Sequence, residues 1–233
     1  MSGAALRVSS IARHLLNTAS ASAHSKLTVR AMATAAVSGS SIGKLAAEET
    51  ALLVCDVQER FRSVITGYPA VIDTSKRMLR AAALLKLPVI VTEQYPKALG
   101  NTVEELQGLI PEGSPVVAKT LFSMCTEEVN AAFDKLPAVK KVLIVGIETH
   151  VCVLQTTLDL LERGYEVHIL VDGVSSQRLG DRSVALQRLA QSGAFLATSE
   201  MVLFMMTKNT SHPAFKGISA LAKEARPEQL PPA

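Results

Sequence analysis

One stretch constrains the fold more than any other: Val142-Leu-Ile-Val-Gly-Ile-Glu-Thr-His-Val-Cys-Val-Leu-Gln-Thr-Thr-Leu-Asp-Leu-Leu161. It opens as a short apolar run rich in β-branched residues, passes Gly146 and a polar turn, and continues with apolar residues at helical spacing. That order predicts a buried strand, a tight turn and a helix. It places Cys152 in the first turn of the helix, where unpaired backbone N–H groups and the helix dipole favour negative charge. Such a setting lowers a cysteine pKa and favours a thiolate nucleophile.

The same pattern recurs along the chain. Thr50–Asp56 reads as a buried first strand ending in an acid, and Val71–Leu85 as a helix. Pro88–Thr92 and Val116–Lys119 read as the second and third strands. Thr126 is placed to cap a helix over Glu127–Leu136, with two acidic residues in its first turn. Val142–Ile147, Tyr165–Asp172 and Ala194–Thr198 complete six strands, with helices expected over 181–192 and 212–225. Met201–Met206 reads as a further short strand or helix, and its methionines as core or a subunit contact. Alternating strands and helices imply right-handed βαβ units. The expected fold is therefore α/β, a doubly wound three-layer sandwich with a six-stranded, mostly parallel sheet.

Charge divides the chain. All 21 acidic residues lie from Glu48 onward, whereas five of the 24 basic residues precede it. Residues 1–45 are rich in Ser, Ala, Arg and Thr, and Arg7–Leu16 can form a short basic amphipathic helix. This composition predicts a mitochondrial or chloroplast transit peptide; the alternative is a disordered tail on a cytoplasmic protein. The folded domain is expected over 46–225, followed by a loose tail, 226–233. From Glu48 on, 19 basic residues face 21 acidic ones, a net of −2, so the overall basic balance gives no support for nucleic-acid binding. The longest apolar runs reach about half of the roughly 18–20 residues that span a bilayer, so no membrane association is expected. Cys55, Cys125 and Cys152 have neither metal spacing nor the even count of a disulfide scaffold.

In open α/β sheets, sites form beyond the carboxyl ends of strands. Asp56, Glu93, Lys119 and Glu148–Cys152 all fall there. A thiolate nucleophile needs a proton acceptor and a charge that holds the anion. Asp56 can serve as the base and Lys119 can stabilise both Asp56 and the anion. The turn before Cys152 can direct N–H groups at a carbonyl oxygen. Each residue also has a plain structural reading, as a helix cap, a solvated lysine or a packed thiol. Gln58, Glu93, Gln94, Tyr95, Phe122 and Thr149 read either as pocket residues or as loop, cap and core residues. His150 reads as a second general base or as a neighbour pointing elsewhere. Cys55 reads as a packing residue and Cys125 as inert.

Three blocks carry a resemblance: Leu52-Leu-Val-Cys-Asp-Val-Gln58; Val117-Ala-Lys119 with Phe122-Ser123; and Gly146-Ile-Glu-Thr-His-Val-Cys152. In order and spacing they resemble the signatures of the isochorismatase-like cysteine hydrolases, over about residues 48–224. Thr92–Gly100 and Leu158–Gly164, with Asp172–Ser176, Gln191–Phe195 and Thr198–Glu200, resemble the isochorismatase domain-containing protein 2 subgroup. The resemblance implies a catalytic triad of Asp56, Lys119 and Cys152, and a cis peptide at Ile147–Glu148 that builds an oxyanion site. It also implies amide hydrolysis through a Cys thioester, a small-molecule substrate and a homo-oligomer. Nicotinamidases of the family carry an Asp/His metal cluster after the second strand. Here Glu93-Gln-Tyr-Pro96 stands in that place, so neither a metal nor another cofactor is expected. The competing expectation is a catalytically idle or redox-sensing binding protein that keeps the fold.

Overall fold

A computed structural model describes residues 41–227, 230 and 231. Residues 1–40 of the expected transit peptide lie outside the described residues. The last residues of that segment are packed: Leu45 is buried in the core and Ser41 Oγ contacts the Glu166 carboxylate.

Six strands form one parallel sheet: β1 (Thr50–Cys55), β2 (Val89–Gln94), β3 (Val116–Lys119), β4 (Lys141–Ile147), β5 (Glu166–Ser175) and β6 (Phe195–Ala197). Their order is β3-β2-β1-β4-β5-β6. The chain first builds outward from β1 to β3, then returns to lay β4 against the other side of β1. The topological switch point, where open α/β sheets place their ligands, is thus the gap between β1 and β4. Cys55 is paired there with Gly146.

The helices are α1 (Tyr68–Leu85), α2 (Pro96–Leu99), α3 (Glu104–Gln107), α4 (Glu127–Asp134), α5 (Leu154–Glu162), α6 (Leu179–Gln191), α7 (Ser199–Thr207) and α8 (Phe215–Lys223). Every residue of β1 is buried, and its side chains alternate between two cores. Leu52 and Val54 pack with α1, α7 and α8, against Met78, Leu79, Leu203 and Leu221. Ala51, Leu53 and Cys55 pack with α4, α5 and α6, against Phe133, Leu160 and Leu186. Period-two alternation with both faces covered is what a near-continuous apolar strand requires. The expected three-layer α/β sandwich is therefore the observed one, and every strand pair is parallel.

Local chemistry sets the boundaries. Thr126 Oγ1 accepts the Val129 amide at the start of α4, the expected cap. Met201–Met206 lies within helix α7, whose Thr198 side chain accepts the Met201 amide. β5 runs three residues beyond its expected end. Its register with β4 shifts, from Ile144 opposite Ile169 to Gly146 opposite Val174. The intervening carbonyls are held by buried Arg182, whose Nη2 donates to Val171 O (2.6 Å) and Nε to Val174 O (3.0 Å). The segment expected as a loose tail makes specific contacts where it is described. Arg226 pairs with Glu200 (3.0 Å), and Pro231 O accepts from Arg182 Nη1 (2.9 Å). Among the described residues no helix is long and apolar enough to cross a membrane.

Candidate active site

Asp56 follows β1 at the switch point with a φ of 53°, a left-handed conformation uncommon outside glycine but tolerated by Asp. Its carboxylate is 1% exposed and fully engaged. Oδ1 accepts from Thr92 Oγ1 at 2.8 Å, and Oδ2 accepts from Lys119 Nζ at 2.7 Å and from the Cys55 thiol at 3.7 Å. Thr92 sits on β2 opposite Cys55, so ordinary parallel pairing delivers its hydroxyl to the carboxylate.

Lys119 is the last residue of β3, two strands away. Its Nζ lies within hydrogen-bonding distance of four oxygens: Asp56 Oδ2 (2.7 Å), Gln94 Oε1 (2.7 Å), Phe122 O (2.9 Å) and Leu121 O (3.1 Å). Burial works against the ammonium charge. The negative charge available on Cys55, Asp56 and Cys152 and the bond to Asp56 outweigh it, and the Lys119 pKa is raised. Cys152 therefore belongs to the same electrostatic cluster as Asp56 and Lys119.

Cys152 is 6% exposed. It does not occupy the first turn of an α-helix, as the spacing predicts. A single π-helical turn over Thr149–Val153 intervenes between β4 and α5. The amides of Val151 and Val153 both return to the Glu148 carbonyl, each at 3.1 Å. Insertions of this kind recur at functional sites because they re-aim one side chain without ending the helix. Thr156 Oγ1 anchors the turn by donating to Cys152 O at 2.6 Å. The Ile147–Glu148 peptide is cis. Gly146 has a φ of 122°, and a Cβ there would fall 2.0 Å from Cys55 O, so only glycine allows β4 this close to β1.

The structure thus pairs Asp56 with Lys119, sets Cys152 within electrostatic reach of Lys119 and sorts the remaining candidates. Gln58 is fully buried and is a brace rather than a pocket residue. Its Nε2 donates to Gln94 O (2.9 Å) and Gly100 O (2.6 Å), and its Oε1 accepts the Gln94 amide (2.7 Å). Glu93 is likewise consumed internally, accepting the Thr102 amide (2.6 Å) and hydroxyl (2.8 Å). Tyr95 and Phe122 are each 51% exposed beside Lys119, as rim residues would be; the Tyr95 amide donates to Lys119 O at 2.8 Å. Thr149 is buried in the turn before Cys152, and its hydroxyl has no partner among the described residues. Glu148 accepts the Gln177 amide (3.0 Å) and faces His150 Nδ1 (3.4 Å), which also meets Ser176 Oγ (3.0 Å). Thr92 was missing from the sequence reading. A strand threonine one residue before the expected acid carries no signal until the strand order is known.

Among the described residues no group of three or more His, Cys, Asp or Glu side chains is arranged to hold a metal ion. The groups present can move a proton between thiol and carboxylate, and can hold an anion next to a fixed ammonium.

Comparison with known proteins places the domain in a family. The model of the isochorismatase domain matches residues 50–201. Isochorismatase family protein 1B of Dictyostelium discoideum is 48% identical over 189 residues, covering 80% of this chain and 92% of that protein. Isochorismatase domain-containing protein 2A of Mus musculus is 45% identical over 195 residues, covering 83% and 92%. Among solved structures, one described as MAR1 ribonuclease from Caenorhabditis elegans superposes with a TM-score of 0.77 at 45% identity, covering 82% of this chain and 98% of that one. The matched region contains all six strands, from Thr50 to Ala197, and the chain belongs to the isochorismatase family.

Proposed function

We propose that this chain is a metal-independent cysteine hydrolase that cleaves a small amide-type C–N bond through a thioester on Cys152. The observation that carries the reading is the Asp56–Lys119 pair, sealed from solvent and clustered with a barely exposed thiol. Asp56 takes the Cys152 proton and the thiolate attacks the substrate carbonyl. The oxyanion of the tetrahedral intermediate is held by N–H groups of the Glu148–Cys152 turn. Asp56 returns the proton to the departing amine, leaving an acyl–Cys152 thioester. Asp56 then draws a proton from water, which attacks the thioester; the C–S bond breaks, the acid is released, and Asp56 returns that proton to the Cys152 sulfur. Lys119 keeps Asp56 ionised between these transfers and supplies a positive field in a water-poor site.

The name of the C. elegans relative suggests phosphodiester chemistry. The charge balance from Glu48 onward, slightly negative, and a thiol-centred cluster both favour acyl transfer instead. We further propose that the protein self-associates, as the exposed Met201 and Phe204 on α7 offer apolar surface. The deciding experiment is a screen across small amides with intact-mass detection of the enzyme during turnover. Ammonia or amine release together with an acyl adduct on Cys152, both lost in Cys152→Ala, is the expected result. Undiminished turnover by Cys152→Ala would exclude the mechanism.

A further inference from the structure

The hydrolytic scheme leaves one buried nucleophile unused. Cys55 is the last residue of β1, and its side chain falls on the same face of the sheet as Cys152, in the core formed with α4, α5 and α6. Its backbone is the one against which Gly146 is pressed, 2.0 Å from where a Cβ would stand. Six residues later the π-helical turn brings Cys152 back to the same place. The Cys55 thiol donates to the Asp56 carboxylate at 3.7 Å, and Cys152 packs in the same buried cluster, near enough to bear on its ionisation. Burial, the nearby Cys152 side chain and the Asp56 charge together push its pKa well up, so it rests as a thiol. Cys125 has a separate neighbourhood, near Ser123, Asp159 and Arg163.

We infer that Cys55 and Cys152 are a modification site, a dithiol that peroxides convert to an intramolecular disulfide. Cys152 reacts first because it alone of the two reaches solvent. Its thiolate attacks a peroxide oxygen, the O–O bond breaks, and Cys152 becomes a sulfenic acid while hydroxide leaves and is protonated to water. Oxidation removes the negative charge that opposed ionisation of Cys55. Cys55 passes its proton along the bond it already makes toward Asp56, and its sulfur attacks the sulfenic sulfur. The S–O bond breaks, the hydroxyl leaves with that proton as water, and the S–S bond forms. Overall, two thiols and one hydrogen peroxide give one disulfide and two waters. The disulfide withholds the sulfur that the hydrolytic reaction needs and protects it from irreversible oxidation to sulfinic and sulfonic acids.

The test reads mass and needs no substrate. Reduced full-length protein is exposed to a modest excess of hydrogen peroxide, quenched with catalase, unfolded and alkylated with N-ethylmaleimide. Expected is a loss of two hydrogens, alkylation of Cys125 alone, and a linked pair of tryptic peptides, Leu45–Arg60 with Val142–Arg163, that separates on reduction. Cys125→Ser should give the same linked pair with no alkylation. In Cys55→Ala, dimedone should trap the Cys152 sulfenic acid, which wild type consumes. Cys152 carrying two or three added oxygens while Cys55 is alkylated would overturn the inference. So would a link through Cys125, or no reaction with peroxide. Should Cys55→Ala fail to fold, the Cys125→Ser result decides by itself. A disulfide in a protein that hydrolyses no amide would leave this inference standing and remove only the preceding one.

Discussion

Lys119 Nζ and Asp56 Oδ2 lie 2.7 Å apart, and neither side chain has appreciable contact with water. Charges so placed are held by each other, because the energy of desolvating each is recovered only through its partner. Removing one leaves the other stranded. Asp56→Asn or Lys119→Met should each lower unfolding free energy by about 3–5 kcal/mol. The double variant should lose less than the sum of the two. Urea denaturation of the four proteins, read as a double-mutant cycle, checks this.

The raised pKa of Lys119 has a pH consequence of definite sign. A lysine whose pKa is higher folded than unfolded stabilises the fold fully below its unfolded value, about 10.4. That contribution is lost as pH rises through the folded value. Buried Tyr68, whose pKa is also raised by desolvation, adds a loss in the same alkaline window, because its unfolded form ionises first. Stability should therefore fall above pH ~10. The fall should be shallower in Lys119→Met, and the difference between the two curves isolates the lysine. Thermal denaturation from neutral to strongly alkaline pH measures it.

Thr149 offers a different dissociation. Among the described residues its buried hydroxyl has no partner to lose, and valine matches its shape. Thr149→Val should leave stability unchanged or raise it by up to about 1 kcal/mol, since an unpaired buried hydroxyl is unfavourable. If the hydroxyl is reserved for a ligand, turnover of an identified amide should drop at least tenfold in the same variant. Stability falling in step with activity would show a structural role instead.

Gly146→Ala should be among the most damaging single-methyl changes in the molecule. Its Cβ would lie 2.0 Å from a backbone oxygen, and the residue sits at a φ of 122°. Neither clash can be relieved by rotating a side chain. We expect loss of soluble expression, or a melting temperature lowered by more than 10 °C, by an effect of several kcal/mol. Gly180→Ala, where a Cβ meets nothing within 4 Å, is the control and should be neutral.

How much of this could be read from the residues follows from what is local and what is not. The strands were legible because burial on both faces demands apolar β-branched runs. Thr126 was legible because a cap is decided within four residues. The placement of Asp56, Lys119 and Cys152 beyond the carboxyl ends of strands followed from the strand pattern alone. The two readings of Gln58 and Glu93 stayed open in the sequence because the chain from Tyr95 to Val103 folds back and engages them, with Gln58 bridged to Thr102; no short window contains both partners. The π-helical turn was hidden because an apolar pattern in the following helix looks the same with or without one extra residue before it. Cys55 looked like packing because it occupies an inward position of a buried strand. Its hydrogen bond to Asp56 depends on the backbone turning left-handed directly after it.

The ammonium of Lys119 has three protons and four oxygens competing for them. A ligand oxygen approaching it would be a fifth claimant in a crowd already oversubscribed. The lysine is thus better suited to set a potential than to grip a molecule, and discrimination between ligands falls to groups that are not already occupied. Around this centre those are the outward-facing rings of Tyr95 and Phe122 and the solitary hydroxyl of Thr149. Variation at these three positions should retune preference among substrates while the charged machinery beneath stays as it is.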